Sequence, residues 1–243
     1  MKTVLLLLFG GAKFSKLLLT GGTMLLSLVT YGMIWGWRYA AGFIALLFAH
    51  EMGHFIAARQ RGLDVGAPTF IPFVGAWIEL REQPMDVETE AYIAFAGPFV
   101  GSIATFAVYF WAREAGSMLL LAIAYAGFFL NLFNLLPLSP LDGGRITAVL
   151  GPRIWFLGVP LLVGLFVYQP NPILLLIGVM AIPSLIRAWR YDPTAPENVA
   201  YYGIPAATRL EYTLMYLGLA VVLAMMTSAV HDMLATVRLG AVH

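Results

Sequence analysis

Two histidines four residues apart enclose a glutamate in an otherwise apolar stretch, which reads His50-Glu51-Met52-Gly53-His54. Imidazoles at positions i and i+4 of a helix lie on the same face and can bind one zinc ion. The glutamate follows the first histidine, where its carboxylate can reach a zinc-bound water rather than the metal itself. The spacing therefore predicts a zinc site with a general base beside it.

The apolar surroundings of this motif strengthen that interpretation. Ionisable side chains are costly inside a membrane span, and there they mark functional sites by default. If the span begins at Tyr39 on the outer side, helical rise places His50 about 16 Å and His54 about 22 Å into the membrane. We therefore expect a buried site displaced toward the cytoplasm. The alternative is a pair of core histidines whose hydrogen bonds are satisfied without a metal.

The third ligand must come from another part of the chain, because a hydrolytic zinc site uses three protein ligands and leaves a fourth position for water. The inner end of the fourth apolar run offers Asn131, Asn134 and Asp142 at a similar depth. Prolines interrupt the helix there, and the two glycines after Asp142 form a flexible turn that can bring its carboxylate inward. We favour Asp142 as a ligand over a solvated helix cap. The competing ligands are Glu79, Glu88 and Glu90, in a polar loop, and His231, at the opposite membrane face.

The composition shows what kind of protein must position these residues. Of the 243 residues, 60% are hydrophobic and only 11% are charged, whereas a soluble domain carries roughly 25% charged residues. The chain has no cysteine, which excludes disulfides, iron–sulfur clusters, thiolate zinc sites and a catalytic cysteine. Its net charge of +1 gives no indication of a nucleic-acid partner. The chain is predicted to be an integral membrane protein.

Runs of about 20 apolar residues can cross a bilayer as helices. The sequence contains seven candidates: Leu17–Trp37, Tyr39–Ala58, Ala91–Trp111, Ser117–Leu136, Ile154–Tyr168, Pro172–Ala188 and Tyr212–Val230. The fifth run is short and rich in Gly and Pro, so it either spans the membrane or fuses with the sixth into a re-entrant hairpin. The sequence thus predicts an all-α polytopic fold with about six to seven transmembrane helices.

The distribution of Lys and Arg predicts the orientation of these spans, since cytoplasmic loops carry an excess of both. With a cytoplasmic N-terminus, eleven of them fall inside and three outside. The inside set is Lys2, Lys13, Lys16, Arg59, Arg61, Arg81, Arg145, Arg153, Arg187, Arg190 and Arg209, and the outside set is Arg38, Arg113 and Arg238. We therefore expect the N-terminus and the active site to face the cytoplasm.

Three segments outside the predicted spans are expected to adopt other structures. Met1–Ala12 is expected to form a membrane-surface helix rather than a cleaved signal peptide. Residues 65–80 are apolar but contain too many prolines and glycines for a helix, and their β-branched and aromatic residues favour short strands. We expect a re-entrant β-like segment beside the site, with an edge open to an extended peptide, rather than an interfacial loop. Trp189–Arg209 reads as a Pro-rich linker.

Together these residues resemble the site-2 protease family of intramembrane zinc metalloproteases. The resemblance rests on the His50–His54 motif and on Asn134-Leu-Leu-Pro-Leu-Ser-Pro-Leu-Asp142-Gly-Gly144 at the end of another span. Gly97-Pro98, in Ala-Gly-Pro-Phe-Val-Gly, matches a further recurring feature of the family. The likeness covers roughly Ala40–Arg145, a three-span core with the re-entrant segment.

The resemblance implies a role for each motif residue. His50, His54 and Asp142 would bind one zinc ion per chain, and Glu51 would be the general base. Asn134 would position the substrate carbonyl or its oxyanion, and the re-entrant strands would pair with an unwound substrate helix.

Asn131 is not fixed by the family pattern. We expect it to donate or accept a hydrogen bond behind a ligand, and helix–helix packing is the alternative.

The predicted function is zinc-dependent hydrolysis of peptide bonds within or near transmembrane segments of other membrane proteins. The alternatives are a catalytically silent relative, a metal transporter, and a lipid-processing or prenyl-protein protease. Residues 1–243 are expected to form one membrane domain, with a catalytic core at 40–145 and accessory spans at 154–230, and without the PDZ or CBS modules of many relatives. A prokaryotic plasma membrane fits this chain. The sequence does not indicate an oligomeric state.

Overall fold

The computed structural model describes residues 21–66, 69–71, 75–77 and 84–240. The predictions for Met1–Ala12, for Glu79 and for the start of the first span lie outside the described residues. Within them the chain is predominantly helical. The helices are α1 (Gly21–Trp35), α2 (Trp37–Gln60), α3 (Val87–Ala115), α4 (Met118–Asn134), α5 (Asp142–Thr147), α6 (Gly158–Tyr168), α7 (Pro172–Trp189), α8 (Pro196–Tyr202) and α9 (Ala206–Gly240). Two 3₁₀ segments, Ala148–Leu150 and Pro152–Leu157, lie between α5 and α6.

Among the described residues, four helices are long and apolar enough to cross a membrane: α2, α3, α7 and α9. Three shorter apolar helical stretches accompany them: Gly21–Trp35, Met118–Asn134 and Pro152–Tyr168. The prediction of an integral membrane protein is confirmed, and the count of six to seven spans stays a prediction. The fifth predicted span is partly 3₁₀, and its α-helical part, α6, has 11 residues. Eleven residues rise about 16 Å, roughly half of the hydrocarbon thickness.

Local sequence explains where the helices begin and end. Gly36 separates α1 from α2 with a φ of 89°, which a residue with a side chain rarely adopts. Asp86 caps α3, because its carboxylate accepts a hydrogen bond of 2.7 Å from the Thr89 amide. This cap starts α3 four residues before the predicted Ala91. The expectation that Glu88 and Glu90 lie in a polar loop is therefore wrong, since both belong to the first turn of α3.

Helices α2, α3 and α4 pack closely because small residues stand at their contacts. A Cβ at Gly53 of α2 would lie 2.3 Å from the Ala96 carbonyl oxygen of α3. A Cβ at Gly101 of α3 would lie 2.4 Å from Oδ1 of Asn131 on α4. Small residues at such crossings let helix backbones approach each other in a membrane protein. The His50–His54 motif on α2 thus faces two helices at close range.

Residues 65–80, the predicted re-entrant segment, contain two short strands. Strands β1 (Thr69–Ile71) and β2 (Gly75–Trp77) pair antiparallel. Their register is Thr69 opposite Trp77, Phe70 opposite Ala76 and Ile71 opposite Gly75. Insertion of this segment into the membrane stays a prediction.

The second half of the chain packs around the turn between α4 and α5. Buried side chains of α3, the 3₁₀ segments, α6, α7 and the start of α9 share one apolar cluster, which includes Leu138, Val149, Trp155 and Tyr212. A second cluster joins α3, α4 and α9 and includes Phe128, Leu135 and Leu223. The turn that carries Asp142 is therefore enclosed by elements from both halves of the chain.

Candidate metal centre

Three side chains from two helices meet at one buried point. Nε2 of His50 lies 3.2 Å from Nε2 of His54. Oδ2 of Asp142 lies 3.2 Å from the first of these nitrogens and 3.3 Å from the second. The three residues are only 3%, 9% and 8% exposed. Among the described residues this is the group of His, Cys, Asp or Glu side chains whose ligand atoms could hold a metal ion.

Hydrogen bonds on the far side of each ring fix which nitrogen faces the cluster. Nδ1 of His54 lies 2.8 Å from the carbonyl oxygen of Ile93, which can only accept. Nδ1 of His50 lies 2.9 Å from Oδ1 of Asn131, and the Asn131 amide nitrogen donates to the Gly127 carbonyl at 2.8 Å. Both Nδ1 atoms are therefore donors, so each neutral imidazole turns the lone pair of Nε2 toward the cluster.

When both imidazoles are neutral, three acceptor atoms converge: the two Nε2 atoms with their lone pairs and one carboxylate oxygen. Such an arrangement calls for a cation at its centre. A tetrahedral zinc site with bonds of about 2.0–2.1 Å places neighbouring ligand atoms about 3.3 Å apart. The three separations in this protein, 3.2, 3.2 and 3.3 Å, fit that triangle. Two imidazoles and one carboxylate are also a donor set that zinc accepts, and they leave a fourth position open.

The backbone of α3 forms one wall of the cluster. A Cβ at Gly97 would lie 2.2 Å from Nε2 of His54, so a side chain at this position would enter the site. Ile93, one turn earlier on α3, provides the carbonyl that holds the same imidazole. The close approach at Gly97 gives a structural reason for a glycine at a position that the family resemblance singled out.

Asp142 is positioned by a compact turn rather than by a long helix. It is the first residue of α5, which has 6 residues, and its N-cap, Leu141, provides no side-chain hydrogen bond. A Cβ at Gly143 would lie 2.2 Å from the Leu135 carbonyl oxygen, so the turn is closed tightly on the end of α4. The Trp155 indole donates to the Gly144 carbonyl at 2.7 Å.

The other predicted site residues lie near the cluster in the chain but make different contacts. Glu51 follows His50 on α2 and is 4% exposed. Asn134 is the last residue of α4, is partly buried, and donates through its amide nitrogen to the Leu130 carbonyl at 3.0 Å. Asn131 is fully buried and accepts from His50, so its position agrees with the expected hydrogen bond behind a ligand.

The described competitors for the third ligand are engaged elsewhere. Glu88 lies 3.6 Å from the Arg61 guanidinium, and Glu90 lies 3.0 Å from Nε of Arg145. His231 is exposed and lies 3.6 Å from its neighbour Asp232. None of the three belongs to the three-residue cluster.

Several contacts that hold the candidate ligands are not predicted from the sequence. The contact from Ile93 is made by its backbone carbonyl, so the residue type gives no indication of it. Trp155 and Tyr216, which donate to Gly144 and Leu135 carbonyls at 2.7 Å each, are ordinary aromatic residues of apolar segments. Residue type alone could have indicated these contacts, because a buried Trp or Tyr needs a hydrogen-bond partner for its N–H or O–H group.

Residues 38–115 of the chain match the family model described as Peptidase family M50. The match contains the His50–His54 motif and Gly97, and it ends before Asp142. Among solved structures, the chain is similar to the site-2 protease from Methanocaldococcus jannaschii, with 19% sequence identity, a TM-score of 0.46, and coverage of 70% of this chain and 87% of that chain. No curated protein matches the chain. The family match confirms the resemblance to site-2 proteases indicated by the motifs.

Proposed function

We propose that this protein is a zinc-dependent intramembrane endopeptidase, in which His50, His54 and Asp142 hold one zinc ion. The observation that carries the proposal is the convergence of Nε2 of His50, Nε2 of His54 and Oδ2 of Asp142 at 3.2 to 3.3 Å from one another in a buried site. The match of residues 38–115 to a peptidase family supports hydrolysis over transport or storage of the metal.

Zinc bound to these residues would supply Lewis acidity and activate a water in its open fourth position. Glu51 would accept a proton from that water as the oxygen attacks the carbonyl carbon of the scissile peptide bond. The same carboxyl group would then give this proton to the leaving nitrogen as the carbon–nitrogen bond breaks, so that Glu51 ends the cycle ionised.

Asn134 would bind the substrate carbonyl. One N–H of its amide donates to Leu130, and the second is available to donate to an oxygen that gains negative charge during the attack. Asn131 and the Ile93 carbonyl would keep both histidines in the tautomer that presents Nε2 to the metal.

The proposed substrate is a transmembrane segment of another protein. Helix α2 ends at Gln60, six residues after His54. His54 therefore lies about 9 Å from this helix end, measured along the helix axis. A peptide bond that reaches this depth belongs to a segment within the membrane. Its carbonyl groups are hydrogen-bonded inside its own helix, so the segment must unwind locally before it is cut. We also propose that the site faces the cytoplasm, on the basis of the Lys and Arg distribution.

The decisive experiment is to measure zinc per polypeptide in detergent-purified protein, for the wild type and for Asp142→Ala. We expect close to one zinc ion in the wild type and far less in the variant, because two imidazoles alone leave the site incomplete. Wild-type protein that is folded and still takes up no zinc after addition of the metal would contradict the proposal and favour a catalytically silent relative.

A further inference from the structure

A polar cluster outside the metal centre joins three separate elements. Oε1 of Glu90, on α3, lies 3.0 Å from Nε of Arg145, on α5. The second carboxylate oxygen of Glu90 accepts a hydrogen bond from the Tyr201 hydroxyl, on α8. We call Glu90, Arg145 and Tyr201 the Glu90 network. The function proposed above gives none of these residues a task.

The Glu90 network stands one helical turn away from both sides of the metal centre. Arg145 follows Asp142 by three residues on α5. Glu90 precedes Ile93 by three residues on α3, and the Ile93 carbonyl holds the ring of His54. The ion pair between Glu90 and Arg145 therefore ties the helix that carries Asp142 to the helix against which His54 rests.

Helix α5 depends on such external contacts. A helix of 6 residues is far below the roughly 12 to 15 residues that give even marginal stability in isolation. Two of its residues are Gly143 and Gly144, which lower the intrinsic helix propensity further. The direction of α5, and with it the position of the Asp142 carboxylate, must be set by the groups that bind α5 from outside.

The Glu90 network is partly shielded from water, so the loss of one of its contacts is poorly compensated. The side chains of Glu90 and Arg145 are only 23% and 26% exposed, so water replaces a lost partner poorly. Burial, together with the negative charge of Glu90, raises the pKa of Tyr201 well above its usual value of 10. The hydroxyl therefore stays protonated and serves as a donor to the carboxylate.

The segment that provides Tyr201 is itself anchored. Arg209, at the start of α9, donates to the backbone carbonyls of Tyr202 and Val149. The stretch predicted to be a Pro-rich linker thus contains a helix, α8, which Arg209 links to the 3₁₀ segment directly after α5. This gives the linker a structural connection to the metal-bearing turn.

We propose that Glu90, Arg145 and Tyr201 are positioning residues, which hold the Asp142 carboxylate at bonding distance from the two histidines and so make metal affinity depend on α8. This inference rests on the proposed metal centre. The network is not a ligand set, because its members act on Asp142 through the backbone of α5.

The test is a titration of the detergent-purified full chain with Zn²⁺ against a competing chelator, combined with the visible absorption spectrum of the Co²⁺-substituted protein. Groups that orient a metal ligand typically change metal affinity by about 10- to 100-fold. We expect Glu90→Gln to raise the metal Kd by about 10-fold or more, and Tyr201→Phe, which removes one oxygen, by a few-fold, about 3 to 10. Both should also change the Co²⁺ spectrum, which a general loss of stability does not do. Arg145→Lys should keep the charge and recover part of the affinity lost in Arg145→Met.

Two matched controls are available on the same elements. Glu88→Gln removes an equivalent carboxylate two residues away on α3, where the partner is Arg61 and not α5. Tyr202→Phe removes a neighbouring hydroxyl on α8 while keeping the backbone carbonyl that binds Arg209. Both controls should bind metal with the wild-type Kd and give the wild-type spectrum.

Failure of this inference can be told apart from failure of the proposed function. If the wild type binds no metal, both are wrong. If the wild type binds one metal, Asp142→Ala does not, and Glu90→Gln and Tyr201→Phe behave like their controls, the positioning role is wrong and the metal centre stands. If Glu90→Gln does not fold, Tyr201→Phe alone decides, because the loss of one hydroxyl leaves every apolar contact in place.

Discussion

The two sides of the candidate metal centre are built in opposite ways. The histidine side, His50 and His54, lies on one continuous helix of 24 residues and is held by groups of the two adjoining helices, α3 and α4. The aspartate side, Asp142, lies on a helix of 6 residues, and its turn is held by side chains that follow much later in the chain, at Trp155 and Tyr216. The histidine pair is therefore organised locally, whereas the proposed third ligand, Asp142, depends on contacts with later parts of the chain.

This difference assigns a role to the C-terminal half of the protein. The sequence analysis predicts that residues 154–230 are accessory spans. In the structure, side chains from this half donate to backbone carbonyls on both sides of Asp142. We infer that the C-terminal half completes the metal centre by holding the turn that presents its third ligand.

The largest effect should come from a change that leaves both sides of the centre in place and removes only the base. Glu51→Gln keeps the size of the side chain but cannot accept a proton. We expect cleavage of a transmembrane substrate to fall by about 10²- to 10⁴-fold, the range of general acid–base catalysis, while zinc content stays at the wild-type level. A variant that cuts at the wild-type rate would show that Glu51 is not the base. A variant without zinc would place Glu51 in the metal centre itself.

The strongest effect on the histidine side is expected from a substitution on α3, at Gly97. The Cβ of Gly97→Ala would lie 2.2 Å from Nε2 of His54, a distance that carbon and nitrogen atoms do not reach without bonding. Since the Ile93 carbonyl holds the other side of the ring, we expect the imidazole to leave the cluster and metal affinity to fall by more than about 100-fold.

The matched control for this change is Gly164→Ala on α6, where a Cβ meets nothing within 4 Å. It should leave metal affinity unchanged in the same chelator competition. Tight metal binding by Gly97→Ala would mean that α3 can move away from α2, and that the histidine side is less rigid than its local contacts suggest.

Two asparagines on α4 should separate ligand orientation from substrate binding. Asn131→Ala removes the acceptor that fixes the tautomer of His50, so we expect metal affinity to fall by about 10- to 100-fold. Asn134→Ala, three residues further on, should slow turnover and leave metal affinity unchanged, because its amide bonds the Leu130 carbonyl and no ligand. Metal content and cleavage rate are measured for both variants. Loss of metal in Asn134→Ala would make it part of the metal-holding set.

The sequence predicts the part of this site that follows local rules. The i, i+4 spacing of the histidines and the composition of their span are enough to place two ligands on one helical face. Asp142 was identified because glycines follow it and because the end of the fourth span has the right depth. These are properties of residue type and short-range geometry, and the structure brings the three side chains together as expected.

The remaining features depend on tertiary contacts that spacing does not record. The Asp86 cap lengthens α3 at its start and thereby moves Glu88 and Glu90 from a predicted loop onto a helix. Tyr201 bonds a residue 111 positions earlier in the chain, and nothing in its own neighbourhood indicates that partner. Backbone acceptors such as the Ile93 carbonyl exist at every position, so only the fold selects the one that orients a ligand.

The smallest change that tests the aspartate side is Trp155→Phe. Trp155 is 8% exposed, and its indole N–H donates to the Gly144 carbonyl, two residues after the proposed ligand. The phenyl ring keeps most of the apolar contact but leaves that carbonyl without its donor, at a cost of about 1 kcal/mol. If the turn is held mainly from the C-terminal half, about 1 kcal/mol should appear as a roughly fivefold weaker metal affinity. Trp189→Phe is the control, because that residue is 78% exposed and its ring meets Phe156 edge-on. A lower thermal stability of Trp155→Phe with an unchanged metal Kd would show that the core helices alone place Asp142, and the two sides of the centre would then be organised alike.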